Sequence, residues 1–258
     1  GVSDQARMVP PNVRFTAPLR TSDISFTKIV FKGIFNFGPV WVFLADLLKI
    51  KNLHHLKRWV RESIITRWLL TTPTVKEILA GKNNSVLYFY WSSGPTSSNL
   101  SVIVSKYLKT LVRYHGSDLY FELKTNNGYI PFREQQLKNI SLAVTISDHG
   151  FNYLNNRFPN QSNIKVSYLG TKSHGLNPTS KSSVLKVVSC SAMSSIKRLD
   201  IIANAIMGIE IPITWVHFGD GPLRSELESL MKNKPDHVNF ELKGHLANAE
   251  VISFYQNY

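Results

Sequence analysis

Lys197 and Arg198 stand side by side shortly after the apolar run Val184–Cys190. Two adjacent cations beyond a strand suit a diphosphate leaving group, where negative charge grows as the bond to it breaks. Arginine offers a planar fork of donors and lysine a point charge, so the two are complementary. A Lys-Arg pair at a helix start is equally a solvated face. A second cluster, Gly219-Asp220-Gly221-Pro222, follows the apolar run Ile213–Phe218. Glycines bring backbone N–H groups close to a ligand, and the amino end of a following helix favours an anion. A tight strand-to-helix turn accounts for the same glycines, with Pro222 expected as the first helical residue. The third cluster is Arg113-Tyr114-His115-Gly116-Ser117-Asp118. An imidazole at a strand's carboxyl end can donate a hydrogen bond to a hydroxyl or phosphate oxygen, and Gly116 permits close approach. Asp118 is expected to order that loop, and a satisfied turn histidine is the plain alternative.

These clusters need strands and helices to position them. Strands are expected at Val86–Trp91, Thr110–Tyr114, Leu142–Ile146 and Ile164–Leu169. Helices are expected between them at Ser97–Tyr107, Arg133–Lys138 and Asp148–Arg157, the last capped by Ser147 or Asp148. The rhythm resumes with strand Val184–Cys190, helix Ile196–Ile206, strand Ile213–Phe218 and a helix opening at Gly-Asp-Gly-Pro. Strands alternating with helices of this length indicate parallel β-α-β units. Open sheets of that kind bind ligands at the carboxyl ends of their strands, where all three clusters fall. The Gly-, Ser- and Lys-rich stretch around 170–183 divides two such series. The expected fold is therefore α/β, with two Rossmann-like domains facing across a cleft: residues 1–172, a linker 173–183, and residues 184–258.

Residues 1–22 read as a Pro-rich loop, and Phe26–Ala80 as largely helical, with breaks near Gly33, Gly38-Pro39 and Thr72-Pro73. Leu53, Leu56, Trp59, Val60, Ile64, Trp68 and Leu69 form an apolar stripe, with Lys57, Arg58, Arg61 and Arg67 largely off it. The stripe is expected to pack on the core with its basic face solvated. A Trp- and Arg-rich helix lying on an acidic membrane surface is the competing reading.

Composition narrows the partners. Of 258 residues, 30 are Lys or Arg and 17 are Asp or Glu, a net charge of +13. Such a chain seeks an anion: nucleic acid, acidic lipid or a phosphorylated substrate. A nucleic-acid module would need aromatic residues on a cationic face, yet Phe89, Trp91, Trp215 and Phe218 fall in expected core strands, so nucleic acid is not expected. The lone Cys190 excludes an internal disulfide and a CxxC metal site, and reads as an inert buried thiol. The histidines lack metal-ligand spacing, so no metal is expected. Asp118 and Glu122 read as a turn cap or solvated pair, not as acid and base catalysts. The longest uncharged apolar stretch, Gly33–Ala45, contains Asn36 and Pro39 and is too short to span a bilayer. The chain begins without Met and stops inside a helical pattern, so it reads as an internal piece of a longer protein.

The order of an HG-Asp loop, a linker, the KR pair, GDGP and a later Val238-x-Phe240-x-x-x-Gly244 resembles the family 4 retaining glycosyltransferases of the GT-B fold. Segments LYFYW, RYHGSDLY, PFREQ and VSCS resemble the bacterial branch that builds surface polysaccharides. The resemblance covers roughly Ser85 to Tyr258. It implies transfer of a hexose from a nucleotide diphosphate sugar to a glycan or lipid-linked acceptor, with retention of configuration and with neither metal nor cofactor. It further implies a cytoplasmic protein, peripheral on the inner membrane face. By position, His115 resembles the residue that contacts the donor sugar and Lys197 the one that holds the donor phosphates. Gly244 falls in the loop that approaches the base, and Gly219 and Gly221 form a chiefly structural turn with a donor contact. The family often places an arginine five residues before the phosphate lysine; here that position is Ala192, and Arg198 is the candidate to replace it. Two glutamates seven residues apart are expected beyond Tyr258, so this piece is expected to be inactive alone. A nucleotide-sugar epimerase on the same architecture is the nearest alternative.

Overall fold

The computed structural model describes residues 25–36, 43–80, 85–92, 94, 99–171, 173–175 and 182–257. The expected opening loop, the Gly38-Pro39 break and the middle of the linker lie outside them. The chain divides into two compact units between Leu169 and Gly170.

In the first unit, β1 (Val86–Phe89), β2 (Lys109–Tyr114), β3 (Leu142–Thr145) and β4 (Ile164–Val166) form a parallel sheet in that order. Alternation decides which side of β2 is covered: Thr110, Val112 and Tyr114 are fully buried while Lys109 is exposed. Val112, Tyr114, Ala143 and Ile164 pack with Leu119, Leu137 and Leu154 from the intervening helices. Ser147 caps the helix Asp148–Arg157, its side chain accepting from the Gly150 N–H at 3.1 Å. β1 stops at Phe89, short of the expected Trp91, because Tyr90 and Trp91 turn away to meet the loop after β2.

Before the sheet come α1 (Phe26–Ile34), α2 (Leu53–Leu69) and α3 (Pro73–Ala80). The break at Thr72-Pro73 is present, with Pro73 as the first residue of α3. The break near Gly33 is present as well, since α1 ends at Ile34. The missing Cβ of Gly33 also lets the end of α1 cross α2 closely: a Cβ there would lie 2.4 Å from the Ile64 carbonyl oxygen. Arg67 then donates to the carbonyls of Ile34 and Asn36 at 2.8 and 2.6 Å, satisfying acceptors at the end of α1.

The apolar stripe of α2 is also arranged differently from expectation. Ile65, Trp68 and Leu69 are buried, but Leu53, Leu56 and Val60 are 63%, 40% and 38% exposed. The amino-terminal half of α2 turns His55, Glu62 and Ser63 inward instead. This is tolerated because His55 and Glu62 find partners. The His55 ring stacks on Tyr129 at 4.9 Å and its Nε2 donates to the Asn127 carbonyl at 2.9 Å. The Glu62 carboxylate accepts from Arg58 and Asn99, each at 3.3 Å.

In the second unit, β5 (Leu185–Cys190), β6 (Ile213–Phe218) and β7 (Val238–Gly244) form a parallel sheet in that order. Its core gathers Trp215, Met193, Leu199, Ala203, Ile206, Leu227, Met231 and Val238. Two expected helix starts shift. Ile196 belongs to a 3-10 turn, Ser195–Lys197, and Arg198 adopts a left-handed φ of 49° before the α-helix Leu199–Met207. Pro222 sits in a turn ahead of the helix Arg224–Met231 rather than at its first position. Cys190 is exposed, not buried, since it ends β5, which among the described residues pairs with β6 alone.

Candidate functional site

Two loop clusters form at strand carboxyl ends, one in each unit. In the first, Asp118 joins the ends of β1 and β2. Its carboxylate accepts from the Ser92 N–H at 2.6 Å and the His115 N–H at 2.5 Å. Asp118 thus orders the histidine loop, as its spacing suggested. Burial raises its pKa, opposed by nearby Arg133 and by those N–H bonds. Arg133 is itself fully buried: it donates to the carbonyls of Asp118 (2.6 Å) and Ser92 (3.3 Å) and lies 4.5 Å over the Tyr114 ring. Gln136, one turn further on, accepts from Ser92 Oγ and Tyr114 Oη, each at 3.0 Å.

His115 is buried, its ring stacked on Trp91 with centroids 4.0 Å apart. A contact of this kind contributes about 0.5–1.5 kcal/mol beyond burial. His115 Nε2 lies 3.0 Å from the Tyr90 carbonyl oxygen. A carbonyl can only accept, so the proton resides on Nε2. The donor capacity expected of this imidazole is thus already engaged. Trp91 is not a core residue, being 50% exposed beside an exposed Tyr90.

In the second unit the loops after β5, β6 and β7 are tied together by backbone bonds. The Met193 N–H donates to the Asp220 carbonyl at 3.0 Å, the Leu223 N–H to Met193 at 3.2 Å, and the Gly219 N–H to Gly244 at 2.7 Å. Gly219 has φ +129°, and a Cβ there would fall 1.9 Å from the Ser191 carbonyl oxygen. At Gly221 a Cβ would fall 2.5 Å from the Met193 carbonyl oxygen. These glycines let two backbones touch. The Gly221 N–H donates to Asp220 Oδ1 at 2.8 Å, so both glycine N–H groups already have partners within the protein. Gly244, with φ +70°, has open space where its Cβ would be.

The two adjacent cations differ. Arg198 holds Asp200 through Nε and Nη2, with a shortest distance of 2.9 Å, and that carboxylate raises its pKa. It lines a cavity of about 470 Å³ together with Asp200, Leu199 and Leu227. Lys197 is exposed, lies outside that lining, and makes no side-chain hydrogen bond or ion pair among the described residues. The left-handed turn at Arg198 and the carboxylate two residues on separate what the sequence placed together.

Sequence reasoning missed Trp91, Arg133, Gln136 and a buried relay under the second cluster. There Trp215 Nε1–H donates to Ser189 Oγ (2.9 Å), and the Ser189 hydroxyl donates to His217 Nδ1 (2.8 Å). His217 Nε2–H donates in turn to the Ser191 carbonyl (3.2 Å), and burial lowers the His217 pKa. The period-2 pattern Ser189/Ser191 against Trp215/His217 was the available signal. Among the described residues no group of three His, Cys, Asp or Glu side chains is placed to share a metal ion.

No family model matches the chain, and no curated protein matches it in sequence. Solved structures do resemble it. The lipopolysaccharide outer core galactosyltransferase WaaB superposes with a TM-score of 0.53 at 12% identity, covering 80% of this chain and 53% of its own. The pneumococcal O-GlcNAc transferase GtfA, in complex with UDP and GlcNAc, gives 0.52 at 15% identity, covering 75% and 39%. TarM gives 0.52 at 14%, covering 74% and 37%. This likeness shows the fold, which is GT-B. The chain spans about half or less of the length of these structures.

Proposed function

We propose that the chain is part of a glycosyltransferase that moves a hexose from a nucleotide diphosphate sugar to a glycan or lipid-linked acceptor, retaining configuration without a metal. The observation that carries this reading is Lys197: an exposed lysine without an ionic partner among the described residues, just past the end of β5 in a chain of GT-B fold. As the bond between the anomeric carbon and the diphosphate oxygen breaks, that oxygen gains negative charge, which a fixed ammonium stabilises. Lys197 supplies the charge that a metal ion would otherwise bring. His115, steadied by Trp91 and Asp118, contacts the transferred sugar. Arg198, Gly219, Gly221 and Gly244 shape the donor-side loops more than they bind. That GtfA was solved with UDP and GlcNAc supports a uridine diphosphate sugar as the first donor to try.

The test is titration calorimetry of UDP and UDP-sugars against the native chain and Lys197→Ala. Loss of one charge-assisted contact is expected to weaken binding by about 10- to 100-fold. Because the Lys197 side chain is exposed and makes no hydrogen bond or ion pair among the described residues, the melting temperature should not move. Equal affinity in the variant would remove the proposal's foundation.

A further inference from the structure

The amino-terminal half of α2 carries its hydrophobic residues outward. Leu53, Leu56 and Val60 are exposed, while His55, Glu62 and Ser63 on the opposite side are buried. Leu56, Val60 and Ile64 line an apolar groove of about 320 Å³, bordered by Lys57 and Arg61. The same two cations line a second cavity of about 540 Å³ with His54, Arg58, Gly94, Thr125 and the Arg58-paired Glu62. Lys57 and Arg61 therefore stand on the boundary between an apolar strip and a basic hollow. Neither makes a side-chain hydrogen bond or ion pair among the described residues. The Arg58 guanidinium, by contrast, is tied to Glu62, Asn126 and the Tyr129 carbonyl.

We propose that this outward face of α2 docks on an anionic phospholipid bilayer. Leu53, Leu56 and Val60 enter the boundary between headgroups and acyl chains, and Lys57 and Arg61 hold lipid phosphates at the rim of the basic hollow. A strip of aliphatic side chains edged by cations is the pattern of a helix lying in the membrane interface. Charge decides between this occupant and a second copy of the chain. The single acidic residue of α2, Glu62, is buried and held by Arg58, so a two-fold contact through this face would set Lys57 and Arg61 against like charges with no exposed carboxylate of the helix to answer them. Among the described residues no helix is long and apolar enough to cross a membrane, so docking would be peripheral. The inference deepens the membrane attachment that the sugar-transferase resemblance implied, but its test reads vesicle binding and not donor binding.

Co-sedimentation of the full chain with vesicles tests it, using phosphatidylcholine alone and an equimolar mixture with phosphatidylglycerol. The native chain should pellet with the mixed vesicles and not with phosphatidylcholine. Removing two interfacial cations in Lys57→Gln/Arg61→Gln should lower partitioning by about 25-fold, at about 1 kcal/mol each. Leu53→Ser/Leu56→Ser should lower it by at least about tenfold, with the melting temperature unchanged because both side chains are exposed. Lys232→Gln, an exposed lysine of the second unit, controls for overall positive charge and should bind as the native chain does. No pelleting of the native chain, or equal losses in the Lys57/Arg61 and Lys232 variants, would overturn the proposal. So would a concentration-dependent dimer abolished by the leucine changes while vesicle binding stays intact, which would mark the face as a contact between copies.

Discussion

Gly219 and Gly244 have positive φ angles and are joined by one hydrogen bond, yet replacing each by alanine should have very different costs. At Gly244 a Cβ meets nothing within 4 Å, so only the backbone conformation is penalised. That penalty is about 1–2 kcal/mol. At Gly219 the Cβ would lie 1.9 Å from the Ser191 carbonyl oxygen and 2.8 Å from its carbon. Backbone cannot rotate aside as a side chain can, so the β5 and β6 loops must separate. Their separation strains the Met193–Asp220 and Gly219–Gly244 hydrogen bonds. Adding about 1–3 kcal/mol for forced repacking and about 1 kcal/mol for a weakened bond brings Gly219→Ala to about 3–6 kcal/mol. For a unit of this size the melting point should fall by about 4–8 °C per kcal/mol. Gly244→Ala then lowers it by about 4–16 °C and Gly219→Ala by at least about 12 °C. Calorimetry gives the shifts, and hydrogen exchange over Leu185–Cys190 assigns them to the second unit. Equal shifts for the two variants would show that the glycines serve φ alone and that the close approach is not a constraint.

Two further outcomes follow from the buried polar groups. His217 is neutral in its relay and burial holds its pKa below the ordinary value, so the native state binds fewer protons than the unfolded chain. Stability of the second unit should therefore be complete above about pH 6.5 and decline as pH falls toward the lower folded value, by at most about 1.4 kcal/mol per pH unit. His217→Gln should flatten that decline in urea unfolding measured across the range; an unaltered slope would assign it to another group. Asp118→Asn replaces one of two accepting oxygens by an amide that cannot accept from Ser92 or His115. The first unit should lose about 2–4 kcal/mol in urea unfolding. A loss below about 0.5 kcal/mol would mean the carboxylate is not what orders the histidine loop.

Much of the scaffold was legible in the residues. Apolar runs such as Ile213–Phe218 and the Ser147 cap depend on neighbours within a few positions, and they formed where the pattern placed them. The glycine pair at Gly219 and Gly221 was legible as a turn, because a backbone constraint leaves its mark on residue type. Gly33 marked the end of α1 in the same way, but that it also permits a close crossing is visible only from Ile64 on another helix. The functional detail depended on contacts that no local pattern encodes. Arg198 lost its freedom to Asp200 through a left-handed turn. Trp91 left its strand to stack on His115, a residue of the next strand's loop. α2 could turn its leucines outward because Asn99 and Tyr129, distant in sequence, satisfied Glu62 and His55. Residue types thus determined which elements form and where their ends gather. The tertiary structure decided which charges remain free, because a buried polar group is settled by whichever partner the fold brings within hydrogen-bond reach.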